Sequence, residues 1–132
     1  SEYDIGFGFE RLAAVCIKNS KSIQQVAMNV HFGSEKRAVK SKREEDVIAI
    51  HKNGNLIFVS CKFKWCRNTE NCKSEIELEM NRLKNLKLPF KIPLQRITRI
   101  LVTTSKAKKL ISSRDEVIVT NLAGISEIID SL

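Results

Sequence analysis

The sequence predicts an α/β fold in which a mixed central β-sheet is flanked by helices, in the order α β β β α β α β α. Three observations lead there. The stretch EEDVIAIHKNGNLIFVSCK (residues 44–62) holds two apolar, β-branched runs, 47–51 and 56–61, joined by Asn53-Gly54, a favoured two-residue hairpin turn. Residues 6–18 repeat apolar positions at helical spacing. A helical pattern over 74–87 is then followed by the strongly β-prone run ITRILVT, so a crossover helix returns the chain to the sheet.

Taken in order, residues 6–18 read as an amphipathic helix burying Phe9, Leu12, Ala13, Cys16 and Ile17, with Glu10 as the one acid inside the pattern. Residues 24–32 read as a strand in which Val26, Met28 and Val30 alternate with Gln25, Ala27 and Asn29. Residues 33–43 (GSEKRAVKSKR) form a basic loop. It is either a solvated connection or a track for a phosphate backbone through Lys40, Lys42 and Arg43. After the hairpin, residues 63–73 (FKWCRNTENCK) are polar and broken. They read as an ordinary loop with a half-buried Trp65, or as a substrate-contacting loop in which Trp65 meets bases while Lys64 and Arg67 meet phosphates. Ser74 is the expected N-cap of the next helix, with Ile76, Met80, Leu83 and the stem of Lys87 facing inward and Glu75, Glu79 and Arg82 on the adjoining stripe. Pro89 and Pro93 mark a loop. A short basic helix (105–112), a short strand (117–120) and a closing helix (123–131) complete the chain.

A chain of 132 residues that is 42% apolar suits one globular domain with a real core. No apolar run approaches the roughly 20 residues needed to span a bilayer, and no secretory pattern opens the chain, so a soluble, cytoplasmic protein is expected. The first residues are Ser-Glu-Tyr rather than Met, which leaves open a piece of something longer. A net charge of +8 favours a polyanionic partner. Cys16, Cys61, Cys66 and Cys72 show no CxxC pairing and read first as reduced thiols. A zinc site from Cys61, Cys66, Cys72 and His51, and a Cys66–Cys72 disulfide, stand as alternatives.

The hairpin brings Asp46 to the same rim as Ser60-Cys61-Lys62, a carboxylate, a hydroxyl and an ammonium together. Adjacent strand residues face opposite ways, so only one of Glu45 and Asp46 points into such a site. Glu10, Asp46 and Ser60-Cys61-Lys62 resemble the successive motifs of the PD-(D/E)XK nuclease superfamily: an acid on the first helix, an acid on the second core strand, and a (D/E)-x-K on the third. The resemblance implies Asp46 rather than Glu45, because the fourteen positions from Asp46 to Ser60 match the family's spacing. GFGFE followed by EEDVIAI, LIFVSCK, NRLKNL and ILVTT is similar to the C-terminal nuclease domain of CRISPR-associated nucleases activated by cyclic oligoadenylate, which serve antiviral defence. The resemblance spans almost the whole chain. It implies a restriction-endonuclease-like core, a preceding ligand-sensing domain and a homodimer that brings two active sites together.

Phosphodiester hydrolysis calls for a hard cation, and Mg²⁺ or Mn²⁺ prefers carboxylates, carbonyls and waters. Asp46 is the leading ligand; Glu10, directly or through water, and the Cys61 carbonyl would add to it, while Lys62 manages the attacking water. Ser60 departs from the pattern, which puts Asp or Glu there. One reading is a site that binds nucleic acid without cutting. A second recruits Glu75, twelve residues beyond Lys62, or Glu79 one turn further, as some restriction endonucleases with S-x-K do. A third is that Asp46 with Glu10 and Glu45 suffices. Against recruitment, Glu75, Glu77 and Glu79 near a helix N-terminus are also what the macrodipole favours. His31 and His51 are available as bases but read more simply as packing residues, and no triad pattern supports Ser60 as a nucleophile.

Three functions follow: a metal-dependent nuclease acting on DNA, RNA or both; an inactive nuclease-like domain that holds nucleic acid; and a basic interaction scaffold.

Overall fold

The computed structural model describes residues 2–32, 43–86, 96–114 and 116–132. Lys40, Lys42, Lys87, Pro89 and Pro93, singled out above, lie outside them. The elements are α1 (Glu2–Lys18), β1 (Ile23–Phe32), β2 (Arg43–His51), β3 (Leu56–Lys62), α2 (Thr69–Asn85), β4 (Ile97–Thr103), α3 (Ser105–Lys108), β5 (Ile118–Thr120) and α4 (Ile125–Asp130). This is the expected α β β β α β α β α order. The five strands form one mixed sheet in the order β1-β2-β3-β4-β5. The first two pairings are antiparallel, and β3–β4 and β4–β5 are parallel.

Side-chain alternation along β3 divides the core into two layers. Ile57, Val59 and Cys61 join Val47 and Ala49 in packing against Phe9, Ala13, Ala14 and Ile17 of α1 and Ile125 and Ile129 of α4. Phe58, on the opposite face, packs with Leu101 against Cys72, Ile76, Met80 and Leu83 of α2. Both faces of the central strand are therefore covered, which is why β3 reads as a continuous apolar run. No helix among the described residues is long and apolar enough to cross a membrane.

Arg99 on β4 ties the sheet to the end of α2. Its Nε donates to the Leu83 carbonyl (2.9 Å), which also accepts the Leu86 N–H, and its Nη2 donates to the Leu86 carbonyl (2.8 Å), placing a cation at the negative end of the helix dipole.

Several local expectations need correction. The hairpin loop holds three residues, not two: His51 N–H bonds to the Asn55 carbonyl (2.8 Å), and Gly54 N–H returns to the His51 carbonyl (2.9 Å). Gly54, at φ 93°, takes the left-handed position that this longer turn requires. Leu12, expected inside, is 56% exposed, because the inward face of α1 runs through Phe9, Ala13 and Ile17. Helix α2 starts at Thr69 rather than after Ser74. Its N-cap is Asn68, whose Oδ1 accepts from Asn71 N–H (3.1 Å), and Asn is as good a cap as Ser. Cys66 and Cys72 are joined in a disulfide, not held as thiols, which also removes both from any zinc site; Cys16 and Cys61 are free. The basic helix is confined to Ser105–Lys108 and the closing helix to Ile125–Asp130, capped by Gly124. A side chain at Gly124 would meet Thr120 Oγ1 at 2.6 Å, so the tight entry to α4 depends on glycine there.

Candidate active site

Strand β2 belongs to two ladders that end at different places. With β1 it pairs as far as Phe32 with Arg43, whereas with β3 the ladder stops at Val47 opposite Val59. Asp46 stands at this fork, inside β2. Beyond the last pair, the Asp46 side chain does what a strand backbone would have done: its Oδ2 accepts the Cys61 backbone N–H at 2.7 Å. Asn29, between the pairs Met28–Val47 and Val30–Glu45 of the β1 ladder, takes a left-handed φ of 53°. Asn tolerates that conformation better than most residues, so β1 is irregular at the point where the site opens.

Asp46 has the parity of Ile48, and Ser60 and Lys62 that of Phe58, so all three lie on the α2 side of the sheet. There Ser60, 1% exposed, donates its hydroxyl to Glu79 Oε1 at 2.5 Å. Arg82 Nε donates to the same oxygen at 2.8 Å, and Arg82 Nη2 lies 2.6 Å from it and 3.2 Å from Ser60 Oγ. Glu79 Oε2 receives no hydrogen bond among the described residues. Burial of this carboxyl, 13% exposed, pushes its pKa up; the hydrogen bonds from Arg82 and Ser60 and the charges of Arg82 and Lys62 outweigh burial and hold it below the ordinary glutamate value. Glu79 on α2 is thus an ionised carboxylate held against Ser60, one residue along β3 from the Cys61 amide that Asp46 engages. Two acids from separate elements converge on Ser60-Cys61-Lys62.

The two candidate acids of α2 part company. Glu75 forms an ion pair with Lys64, on the loop leaving β3, and is half-exposed. Glu79 is the one directed at Ser60. Because α2 begins at Thr69, the acid in its first turn is Glu70, and Glu79 lies too far along the helix for the macrodipole to account for it. Glu10 lies on α1, the other layer, beside Phe9. The Phe9 ring meets Phe63 edge-on (5.6 Å), which puts Glu10 at the same end of the sheet as Lys62.

The backbone here is clamped. Thr103 Oγ1 donates to the Lys62 carbonyl (2.6 Å) and Thr104 Oγ1 to that of Lys64 (2.8 Å). Arg82, read from the sequence only as a neighbour of Glu75 and Glu79 on one stripe, and the two threonines had no place in the sequence-derived site; the i, i+3 spacing of Arg82 from Glu79 is the signal that could have found it. His51 is structural: its Nδ1 accepts from Asn53 N–H (3.2 Å) and its Nε2 bonds the Ile129 carbonyl (3.1 Å). Of the cations expected to meet nucleic acid, Lys64 is paired with Glu75, Arg67 is exposed, and Arg43 is described only as the opening residue of β2.

Among the described residues, no three His, Cys, Asp or Glu side chains form a ready-made metal cage. What the site offers instead is the carboxylates of Asp46 and Glu79, at the Cys61 N–H and the Ser60 hydroxyl, hard oxygen donors of the kind that suits Mg²⁺. That ion is commonly held by one or two carboxylates, with waters and substrate phosphate completing its shell.

Neither a protein-family model nor a curated protein sequence matches the chain. Among solved structures, it is similar to the small subunit (R.BspD6I2) of the heterodimeric restriction endonuclease R.BspD6I, with a TM-score of 0.53 and 13% identity over 95% of this chain and 68% of that one. It also matches protein VC1899 from Vibrio cholerae (TM-score 0.47, 18% identity), of which the chain spans 32% of the length while 96% of the chain is covered. The fold, a five-stranded mixed sheet between helical layers, is therefore similar to that of a restriction endonuclease.

Proposed function

We propose that the chain is a nuclease domain that hydrolyses phosphodiester bonds of DNA or RNA with Mg²⁺ or Mn²⁺, and that Glu79 supplies the carboxylate that Ser60 lacks. The Ser60–Glu79 hydrogen bond carries this reading: a carboxylate from α2 stands against the strand position where a (D/E)-x-K motif would have its own. Asp46, Glu79 and the Cys61 carbonyl would hold the ion, with Glu10 contributing from α1. When bound, the ion neutralises charge on the phosphate and makes the attacking water more acidic. Lys62, on the same face, orients that water and offsets negative charge as it develops on the phosphate, a role suited to a compact ammonium. Ser60 and Arg82 keep Glu79 ionised and fix its direction. The similarity to a subunit of a heterodimeric enzyme supports paired catalytic domains. The resemblance of its motifs to those of nucleases activated by cyclic oligoadenylate supports a place behind a ligand-sensing domain that forms the pair.

A second reading, nucleic-acid binding without cutting, is favoured by Arg82. Its guanidinium already neutralises Glu79, and a carboxylate satisfied by the protein has less to offer a cation.

Cleavage of single- and double-stranded DNA and RNA in Mg²⁺ or Mn²⁺ separates the two. The nuclease reading expects cutting that is lost in Asp46→Ala, Lys62→Ala and Glu79→Gln and retained in Glu75→Gln. Cutting that survives both Asp46→Ala and Glu79→Gln would overturn this assignment, and salt-sensitive binding with no cutting would establish the second reading.

A further inference from the structure

We infer that Trp65 is a stacking platform for an unpaired base, so that the substrate class is single-stranded nucleic acid; this rests on the nucleic-acid reading above and narrows it. Trp65 is 48% exposed, an unusual position for so large an apolar ring, yet it is not loose. It meets Phe63 edge-on at 4.9 Å with an interplanar angle of 88°, and Phe63 meets Phe9 at 5.6 Å and 70°. Phe9 is 8% exposed and belongs to the core. A row of three rings thus runs from the interior to the surface, and each edge contact limits the rotation of the next.

The backbone carrying Trp65 is held on both sides. Thr104 Oγ1 fastens the Lys64 carbonyl, and the Cys66–Cys72 disulfide fastens the following residue to α2. A ring fixed before its ligand arrives loses little freedom on binding, which is the condition under which stacking contributes most.

The surroundings suit a phosphodiester chain. Trp65 borders an open depression lined by Lys64, Arg67, Asn68, Asn71 and Glu75. The Lys64–Glu75 ion pair cancels one charge of each sign on its wall, and Arg67 is exposed without an ion-pair partner among the described residues. A strand whose base lies on Trp65 would find Arg67 for a phosphate. Trp65 is three residues beyond Lys62, at most about 11 Å of extended chain, so the stacked base belongs to a nucleotide next to the bond at the candidate site. A duplex hides the faces of its bases and is gripped through its phosphates, whereas a single strand offers a face at every step.

Trp65 is the only tryptophan of the chain, so intrinsic fluorescence reports on this ring alone. Fluorescently labelled single-stranded DNA, single-stranded RNA and a blunt duplex are titrated with the protein in chelator, affinity being read by anisotropy and tryptophan quenching followed in parallel with unlabelled strands. The expected result is binding of one or both single strands with strong quenching, little quenching by the duplex, and single-strand affinity lowered roughly 5- to 150-fold in Trp65→Ala but largely kept in Trp65→Phe. Circular dichroism of each variant separates loss of stacking from loss of fold. Binding without quenching, or with equal affinity in folded Trp65→Ala, overturns the stacking role and leaves the nucleic-acid reading standing. Absence of any binding overturns both.

Discussion

Ser60 and Glu79 share a 2.5 Å hydrogen bond across nineteen positions of sequence, the hydroxyl donating to Oε1. A strand residue that lacks a carboxylate is thereby in direct contact with one supplied by the crossover helix.

If Glu79 substitutes for an acid at position 60, the two positions should be interchangeable. Glu79→Gln should lower cleavage by roughly 100-fold or more. Adding Ser60→Asp to it should restore at least part of the loss, about tenfold, because the new carboxylate stands where Oε1 had been reached. Ser60→Asp alone should be poor, since two carboxylates in contact repel. Initial rates of the four proteins in Mn²⁺ test this, and a double variant no better than Glu79→Gln would refute interchangeability.

The depressed pKa of Glu79 makes a prediction about pH. A carboxyl that is more acidic folded than unfolded stabilises the protein above its unfolded value of 4.5, and that contribution is lost as pH falls through the lower folded value. The difference in unfolding free energy between wild type and Glu79→Gln should therefore be greatest above pH 4.5 and shrink as the solution is acidified. Urea titrations across that range measure it.

Arg99→Ala should destabilise the fold by about 2 kcal/mol, because two carbonyls at the end of α2 lose charged donors at 2.9 and 2.8 Å. Arg99→Lys keeps the cation but cannot hold both carbonyls with a planar fork, and should fall between the two. Denaturant midpoints at constant m-value would show the order.

The Cys66–Cys72 disulfide closes a loop with a sequence separation of 6, for which chain entropy gives about 2 kcal/mol of stabilisation. Reductant should lower the stability of the wild type by about that amount and leave a Cys66→Ser/Cys72→Ser variant unchanged. Equal stability of the wild type with and without reductant would remove the disulfide from the account of the loop.

Much of the fold was legible because the signals are local. The alternation of Val26 and Met28 and the β-branched runs each act over a few residues, and the structure keeps them; the turn at Gly54 is also kept in place, though its loop is one residue longer than expected. Boundaries were less legible. Asn68 and Ser74 are both competent caps, and the choice between them depends on Cys72 packing into the core one turn inside α2. Leu12 shows the same limit from the other side: periodicity offered two overlapping stripes on α1, and packing against the sheet and α4 buries the one through Ala13 and Ile17.

The sequence by itself determined the order of elements, the parity that gathers Asp46, Ser60 and Lys62 on one face, and the presence of spare acids on the following helix. These follow from the strand period and from the composition of α2. Only the tertiary structure decided that Glu79 meets Ser60 while Glu75 meets Lys64. The two acids lie one turn apart on the same side of one helix, and which of them reaches the strand depends on where Cys72, Ile76, Met80 and Leu83 seat α2 against Phe58 and Leu101. That seating is set by the packing of residues far apart in the chain, which no local pattern encodes.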